Sequence, residues 1–125
     1  MSASESTLIL VVDDDDNARE ALSEFLTING YVVACAENGQ VALEQIRAQP
    51  APPALILLDM LMPVMDGRMF LDSVRRDRRI RNLPIVVATS DPSIEAPGAT
   101  AVLAKPIKPE RLLHVVREFV EPDAA

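Results

Sequence analysis

The chain has 125 residues, a formal net charge of −7 and a hydrophobic content of 49%. This length fits one domain with its own core, and the composition is that of a globular protein. The negative charge argues against a nucleic-acid partner, because phosphate binding needs a basic surface. With no run of about 18 apolar residues and no secretory signal pattern, we expect no membrane association. The single cysteine, Cys35, cannot form an internal disulfide, which fits a cytoplasmic location.

Five apolar runs predict β-strands, and stretches with helical periodicity lie between most of them. The predicted strands are residues 7–12, 31–36, 54–58, 84–88 and 100–104. The predicted helices are residues 17–29, 40–48, 67–75 and 109–120. One of Asp15, Asp16 and Asn17 can cap the first helix, and Asp66 can cap the third. Pro92, Pro97 and Gly98 leave little room for a helix between the last two strands.

Alternating strands and helices predict right-handed crossovers and a parallel sheet. We therefore expect an α/β fold, with a five-stranded, doubly wound parallel sheet and helices on both faces. The predicted domain covers residues 7–121. Residues 1–6 are expected to form a flexible N-terminal tail and residues 122–125 a C-terminal tail.

Polar side chains follow several of the predicted strands, as Asp13 and Asp14, Asp59, Thr89 and Lys105 show. The carboxyl ends of parallel strands meet at one edge, where ligands bind in open α/β sheets. Two carboxylates about 4 Å apart repel by roughly 4 kcal/mol at an effective dielectric constant of about 20. A proton or a cation must relieve that repulsion, and ligands that are all oxygen favour Mg²⁺.

Asp59 is interpreted as a nucleophile, because a carboxylate at such an edge can accept a phosphoryl group and form an acyl phosphate. Lys105 supplies a positive charge for a phosphate oxygen, and Thr89 supplies a hydroxyl donor. Each residue alone has an ordinary explanation as a solvated loop, a helix cap or a strand residue. Their combination indicates phosphoryl chemistry.

The ordered set of motifs resembles the response-regulator receiver domain of two-component signalling, over about residues 7–120. The motifs are Val11-Val12-Asp13-Asp14, the stretch from Leu58 through Asp59 to Asp66-Gly67, Ala88-Thr89-Ser90, and Lys105-Pro106. The resemblance implies a flavodoxin-like three-layer sandwich and a cis Lys105–Pro106 peptide bond.

The resemblance also implies a role for each site residue. Asp59 would be phosphorylated by a histidine kinase or a histidine phosphotransfer protein, and Lys105 and Thr89 would contact the phosphoryl group. Asp14 and Asp59 would bind Mg²⁺ directly, with Asp13 acting through water and the backbone carbonyl of Leu61 as a further ligand. Such a chain is a phosphoacceptor rather than an enzyme, although it assists its own phosphoryl transfer and autodephosphorylation.

The chain departs from the usual receiver pattern after the predicted fourth strand. Only fifteen residues, 90–104, separate Thr89 from Lys105. This spacing is short by roughly six residues, more than one helical turn, so the family's fourth helix is expected to be missing. Val102 stands where the family places a switch aromatic. Leu61 and Asp91 stand at positions that influence dephosphorylation in the family.

We expect a stand-alone receiver, acting in a phosphorelay, whose phosphorylation state switches its binding to an unidentified downstream protein. A fragment of a larger regulator and a homodimer both stay open. One alternative is a degenerate receiver that acts as a phosphorylation-independent binding module. Another is an aspartyl-phosphate phosphatase or phosphotransferase, which would need a second acid where Leu61 stands. The arginines within residues 75–81 are either a solvated helix end or a docking patch for an acidic partner.

Overall fold

The computed structural model describes residues 7–60, 62, 64–91 and 93–122. The predicted N-terminal tail, residues 1–6, and residues 123–125 of the predicted C-terminal tail, residues 122–125, lie outside this range. The strands are β1 (Leu8–Val12), β2 (Val32–Ala36), β3 (Leu55–Asp59), β4 (Ile85–Thr89) and β5 (Ala101–Ala104). The helices are α1 (Asp16–Ile28), α2 (Gly39–Ala48), α3 (Gly67–Arg76) and α4 (Pro109–Phe119). Every bound lies within one residue of its prediction.

The five strands form one parallel sheet in the order β2-β1-β3-β4-β5. The chain therefore leaves β1 toward one edge of the sheet, and it returns at β3 to build toward the other edge. The crevice between β1 and β3 is the topological switch point, where open α/β sheets bind their ligands. The predicted doubly wound α/β fold is confirmed.

Alternate side chains of the strands pack into two cores, one on each face of the sheet. Leu10 of β1 and Leu58 of β3 belong to the core under α2 and α3, and Ile9 and Leu57 belong to the core under α1 and α4. The central strand β3 is buried along its whole length. Removal of this apolar surface from water is the main favourable term in folding. It fixes the carboxyl ends of β1 and β3 side by side.

Three helices begin at side-chain caps, which satisfy N–H groups that the first helical turn leaves unpaired. Asp15 is the cap of α1 and accepts from the N–H groups of Asn17 and Ala18. Asn38 caps α2, and Asp66 caps α3 as predicted. No helix among the described residues is long and apolar enough to cross a lipid bilayer.

The β4–β5 segment, residues 90–100, contains no helix in the part of it that the structure describes, as its sequence predicted. Ile94, Ala96 and Ala99 are partly buried and pack against the core under α2 and α3. Short apolar side chains on an irregular backbone thus cover part of the sheet there. Val102 of β5 is 50% exposed, so the cover is incomplete at that position.

Arg75 of α3 holds the β4–β5 segment in place. Its guanidinium donates to the carbonyl oxygen of Gly98 over 3.0 Å and to that of Leu83 over 2.7 Å. It also donates to the carbonyl of Arg81 over 2.8 Å. Gly98 has a φ of 91°, a conformation that favours glycine, and a Cβ added there would lie 3.2 Å from Cγ of Arg75. One arginine of the basic stretch is therefore structural rather than free for docking.

We expect Arg75→Met to lower the free energy of unfolding by about 2 kcal/mol, because three carbonyl groups lose a charged donor. Urea denaturation, monitored by circular dichroism, measures this loss. The matched control is Arg76→Met, which removes an exposed side chain paired with Asp72 at 3.2 Å and is expected to cost less than about 0.5 kcal/mol. Equal effects of the two substitutions would show that Arg75 does not hold the segment.

Candidate functional site

Three carboxylates converge at the switch point of the sheet. Asp13 follows β1, Asp14 comes next, and Asp59 ends β3. Each offers a carboxylate oxygen, and these oxygens all lie within 4.8 Å of one another. The structure thus brings together the three side chains that the sequence predicted as metal ligands. A donor set made only of carboxylate oxygens fits a hard cation such as Mg²⁺.

Asp13 is nearly fully buried, at 4% exposure. Its backbone N–H extends the sheet by donating to Ala36 over 3.1 Å, and its Oδ1 accepts from the N–H of Asp15 over 2.9 Å. Burial raises the pKa of the Asp13 carboxyl, and the neighbouring carboxylates of Asp59 and Asp14 raise it further. The Asp15 N–H and the Lys105 charge offset part of this rise.

Arg19 lies in α1, three residues after Asp16, and its side chain contacts the acidic loop of residues 13–16. Its Nη1 donates to the backbone carbonyl of Asp13 over 2.7 Å, and its Nη2 contacts the carboxylate of Asp16. The sequence analysis missed this residue. Its spacing to Asp16 is one at which helical side chains meet, and that signal could have found the ion pair. The contact with the Asp13 carbonyl depends on how the loop folds back.

Lys105, directly after β5, reaches the same edge. Its Nζ lies 3.3 Å from Oδ1 of Asp59, which is itself only 9% exposed. The backbone N–H of Lys105 donates to the carbonyl of Thr89 over 2.9 Å, so the edge of the sheet holds the lysine in position. The Lys105–Pro106 peptide bond is cis, as the family resemblance implied.

Thr89 ends β4 beside the acidic cluster and is buried. In the register of the sheet Asp59 pairs with Ala88, the residue just before Thr89. The Thr89 hydroxyl accepts from the N–H of Asp91 over 3.1 Å and lies 3.3 Å from the Asp91 carbonyl, to which it donates. Thr89, predicted to donate a hydrogen bond to the phosphoryl group, is therefore next to the site, and its hydroxyl binds the start of the β4–β5 segment.

Gly67, the first residue of α3 after the β3–α3 loop, lies very close to Met60, the residue that follows Asp59. A Cβ added at Gly67 would lie 2.7 Å from the α-carbon of Met60, and the Gly67 N–H donates to the Met60 carbonyl over 3.0 Å. Only glycine allows this approach. Val64 in the same loop has a positive φ of 69°, which is strained for a β-branched residue. Leu61, the predicted carbonyl ligand, lies outside the described residues.

A cavity of about 730 Å³ opens beside Asp59 and Lys105, between α1 and α4. Its walls are mainly apolar and include Leu22 and Phe25 of α1 and Leu112 of α4. The charged groups lie at one end of the cavity, and apolar side chains continue away from them. This arrangement of an apolar cleft with a few convergent polar groups is typical of functional sites.

Comparison with known proteins gives the same family from sequence and from structure. A family model described as the response regulator receiver domain matches residues 9–117. The response regulator MprA of Mycobacterium ulcerans is 42% identical over 122 residues, which are 92% of this chain and 50% of that protein. The chain spans about half the length of the curated relatives it matches.

Two solved structures show the same architecture. The chemotaxis protein CheY4 of Vibrio cholerae superposes with a TM-score of 0.83 at 34% identity, over 93% of this chain and all of that one. The response regulator TrrA of Thermotoga maritima, solved in complex with Mg²⁺–BeF, has a TM-score of 0.81 at 28% identity. That match covers 91% of this chain and 99% of TrrA.

We expect Asp13→Asn to stabilise the metal-free protein at pH 7 by about 1 kcal/mol, because it removes a buried charge and with it part of the repulsion between carboxylates. The raised pKa of Asp13 sets the pH dependence. The folded protein holds the Asp13 proton to a higher pH than the unfolded chain does. That stabilising proton is fully bound below the ordinary pKa of 3.8 and is lost as pH rises through the folded-state value.

Urea denaturation in a chelator, at pH 7 and at a pH below 3.8, checks the Asp13→Asn expectation. The gain in stability should be present at pH 7 and absent at the acidic pH. Asp72→Asn is the matched control, since it changes an exposed carboxylate of α3 that pairs with Arg76. A lower free energy of unfolding for Asp13→Asn than for the wild-type protein at pH 7 would show that the buried Asp13 charge does not destabilise the fold.

Proposed function

The chain belongs to the response-regulator receiver domain family, and from this premise we propose that Asp59 is its phosphoacceptor in His-to-Asp signal transduction. One observation carries the proposal. The Asp59 carboxylate lies among Asp13 and Asp14, with oxygens within 4.8 Å, while the Lys105 ammonium contacts it at 3.3 Å. Receiver domains are signalling phosphoacceptors, and this carboxylate has the surroundings that such a role needs.

We assign Asp14 and Asp59 as direct ligands of Mg²⁺, with Asp13 acting through water and the Leu61 carbonyl as a further ligand. The structural neighbour TrrA was solved in complex with Mg²⁺–BeF, which supports Mg²⁺ as the metal. When bound, Mg²⁺ neutralises the carboxylates and the charge on the phosphoryl oxygens. Burial and, after it, the neighbouring carboxylates raise the pKa of Asp13, so a cation bound at the cluster would stabilise the charged form of this carboxyl.

In the proposed reaction a carboxylate oxygen of Asp59 attacks the phosphorus of a phosphohistidine. A new O–P bond forms and the P–N bond of the donor breaks, so that the imidazole leaves and takes a proton from solvent. The product is an acyl phosphate on Asp59. Burial of Asp59 at the sheet edge holds the nucleophile in one orientation, which lowers the entropic part of the barrier.

Lys105 and Thr89 are proposed to hold the transferred group. The Lys105 ammonium already contacts Asp59, so a phosphoryl oxygen on that residue comes within its reach. The Thr89 hydroxyl binds the backbone of Asp91 in the unphosphorylated protein. Donation from this hydroxyl to a phosphoryl oxygen would withdraw its proton from the Asp91 carbonyl, which ties the site to the β4–β5 segment.

The proposed phosphodonor is a histidine kinase or a histidine phosphotransfer protein in the cytoplasm, where ATP supplies the phosphoryl group. The cavity between α1 and α4 leads to Asp59 and offers apolar walls to the donor. The phosphorylation state would then change binding to a downstream protein. A homodimer stays open as one form of that response.

Two rival functions fit the site less well. A phosphorylation-independent binding module would not need Asp13, Asp14, Asp59 and Lys105 to converge, whereas the structure brings them together. A phosphatase with an aspartyl intermediate would need an acid two residues after its nucleophile, where this chain has Leu61.

Incubation with radiolabelled acetyl phosphate and Mg²⁺ tests the proposal. We expect a phosphoprotein that is labile to base and to hydroxylamine, because an acyl phosphate reacts with both. Asp59→Asn should lose the label, and so should the wild-type protein in EDTA. Asp72→Asn, which removes an exposed carboxylate, is the control and should keep it. An unlabelled wild-type protein, or equal labelling of Asp59→Asn, would refute the assignment.

A further inference from the structure

We infer that Arg19 is a positioning residue for the cation site, holding the Asp13–Asp16 loop in the shape that presents its carboxylates. The inference rests on the proposed function, since it concerns the same Mg²⁺ site. Arg19 does not reach the metal position as a ligand, because a guanidinium offers only donors. Its effect would be exerted through the backbone of Asp13.

The contacts of Arg19 join both ends of the acidic loop. Nη1 donates to the backbone carbonyl of Asp13 over 2.7 Å, and Nη2 contacts the carboxylate of Asp16. The backbone N–H of Arg19 donates to the carbonyl of Asp15 over 2.9 Å as part of α1. The peptide group that Arg19 binds joins Asp13 to Asp14. Fixing this peptide therefore restricts the direction of the Asp14 side chain, which is exposed.

The loop needs such a restraint because it carries four consecutive aspartates. Their mutual repulsion favours a more open loop, and Asp59 adds a further negative charge from β3. Among the described residues, two cations are recorded in contact with this acidic region. Lys105 contacts Asp59, and Arg19 contacts Asp16 and the Asp13 carbonyl. Only Arg19 has the planar fork that can bind both groups at once.

The charge of Arg19 and its proposed positioning role predict opposite effects of its removal on the affinity for Mg²⁺. A positive charge near a cation site weakens cation binding, so electrostatics alone predicts tighter Mg²⁺ binding once Arg19 is removed. A positioning role predicts weaker binding, because the ligands then sample many orientations. Loss of a partner that orients metal ligands typically costs about tenfold or more in affinity. The sign of the change therefore distinguishes the two readings.

The test is a titration of the metal-free protein with Mg²⁺, in which binding is monitored by the backbone amide chemical shifts in NMR spectra. Arg19→Met removes the charge and keeps an apolar stem, whereas Arg19→Lys keeps the charge but cannot bind both groups. We expect Mg²⁺ affinity to fall about tenfold in Arg19→Met and severalfold in Arg19→Lys. Arg76→Met is the control, since it changes net charge equally at the far end of α3 and should leave affinity unchanged.

Each other outcome overturns the inference. Tighter binding by Arg19→Met, with wild-type affinity in Arg19→Lys, would assign Arg19 a purely electrostatic effect. If the Arg19 variants lost thermal stability but kept the wild-type affinity for Mg²⁺, Arg19 would be only a structural ion-pair residue. Absence of Mg²⁺-dependent shifts in the wild-type protein would instead remove the proposed metal site itself, and the inference with it. Wild-type binding thus separates failure of this inference from failure of the proposed function.

Discussion

The parallel pairing of β1 with β3 is the constraint on which the site depends. Val12 pairs with Leu58 in the register, so the residues that follow, Asp13 and Asp59, leave the sheet side by side. Apolar packing on both faces holds these strand ends together against the repulsion of their carboxylates. Burial raises the pKa of Asp13, the neighbouring carboxylates raise it further, and the same negative charge makes the edge receptive to a cation and to the Lys105 ammonium. Burial thus supplies the free energy that maintains the cluster of charge.

The chain differs from the usual receiver pattern in how it covers the sheet after β4. An irregular segment replaces a helix, and the Arg75 guanidinium holds it by its carbonyl groups. The Thr89 hydroxyl binds the first part of the same segment at Asp91. The site and the segment therefore share one side chain, while Val102 of β5 remains half exposed.

The sequence predicted every strand and helix within one residue, since apolar periodicity and caps are local signals. It also predicted the convergence of Asp13, Asp14, Asp59 and Lys105, because the carboxyl ends of parallel strands share an edge. It did not reveal Arg19 below Asp13, nor Arg75 bound to Gly98, since both contacts depend on how loops fold back. The close approach of Gly67 to Met60 was likewise invisible, because sequence alone does not show distances between backbones.

Chemical mapping of the phosphorylated residue tests the central claim most directly. Borohydride reduction of the protein after treatment with a phosphodonor and Mg²⁺ converts an aspartyl phosphate into homoserine, which peptide mass spectrometry locates. We predict homoserine at position 59 and at no other aspartate, because Asp59 combines burial at the strand end with contact to Lys105. Homoserine at position 13 or 14, or no conversion at any position, would contradict it.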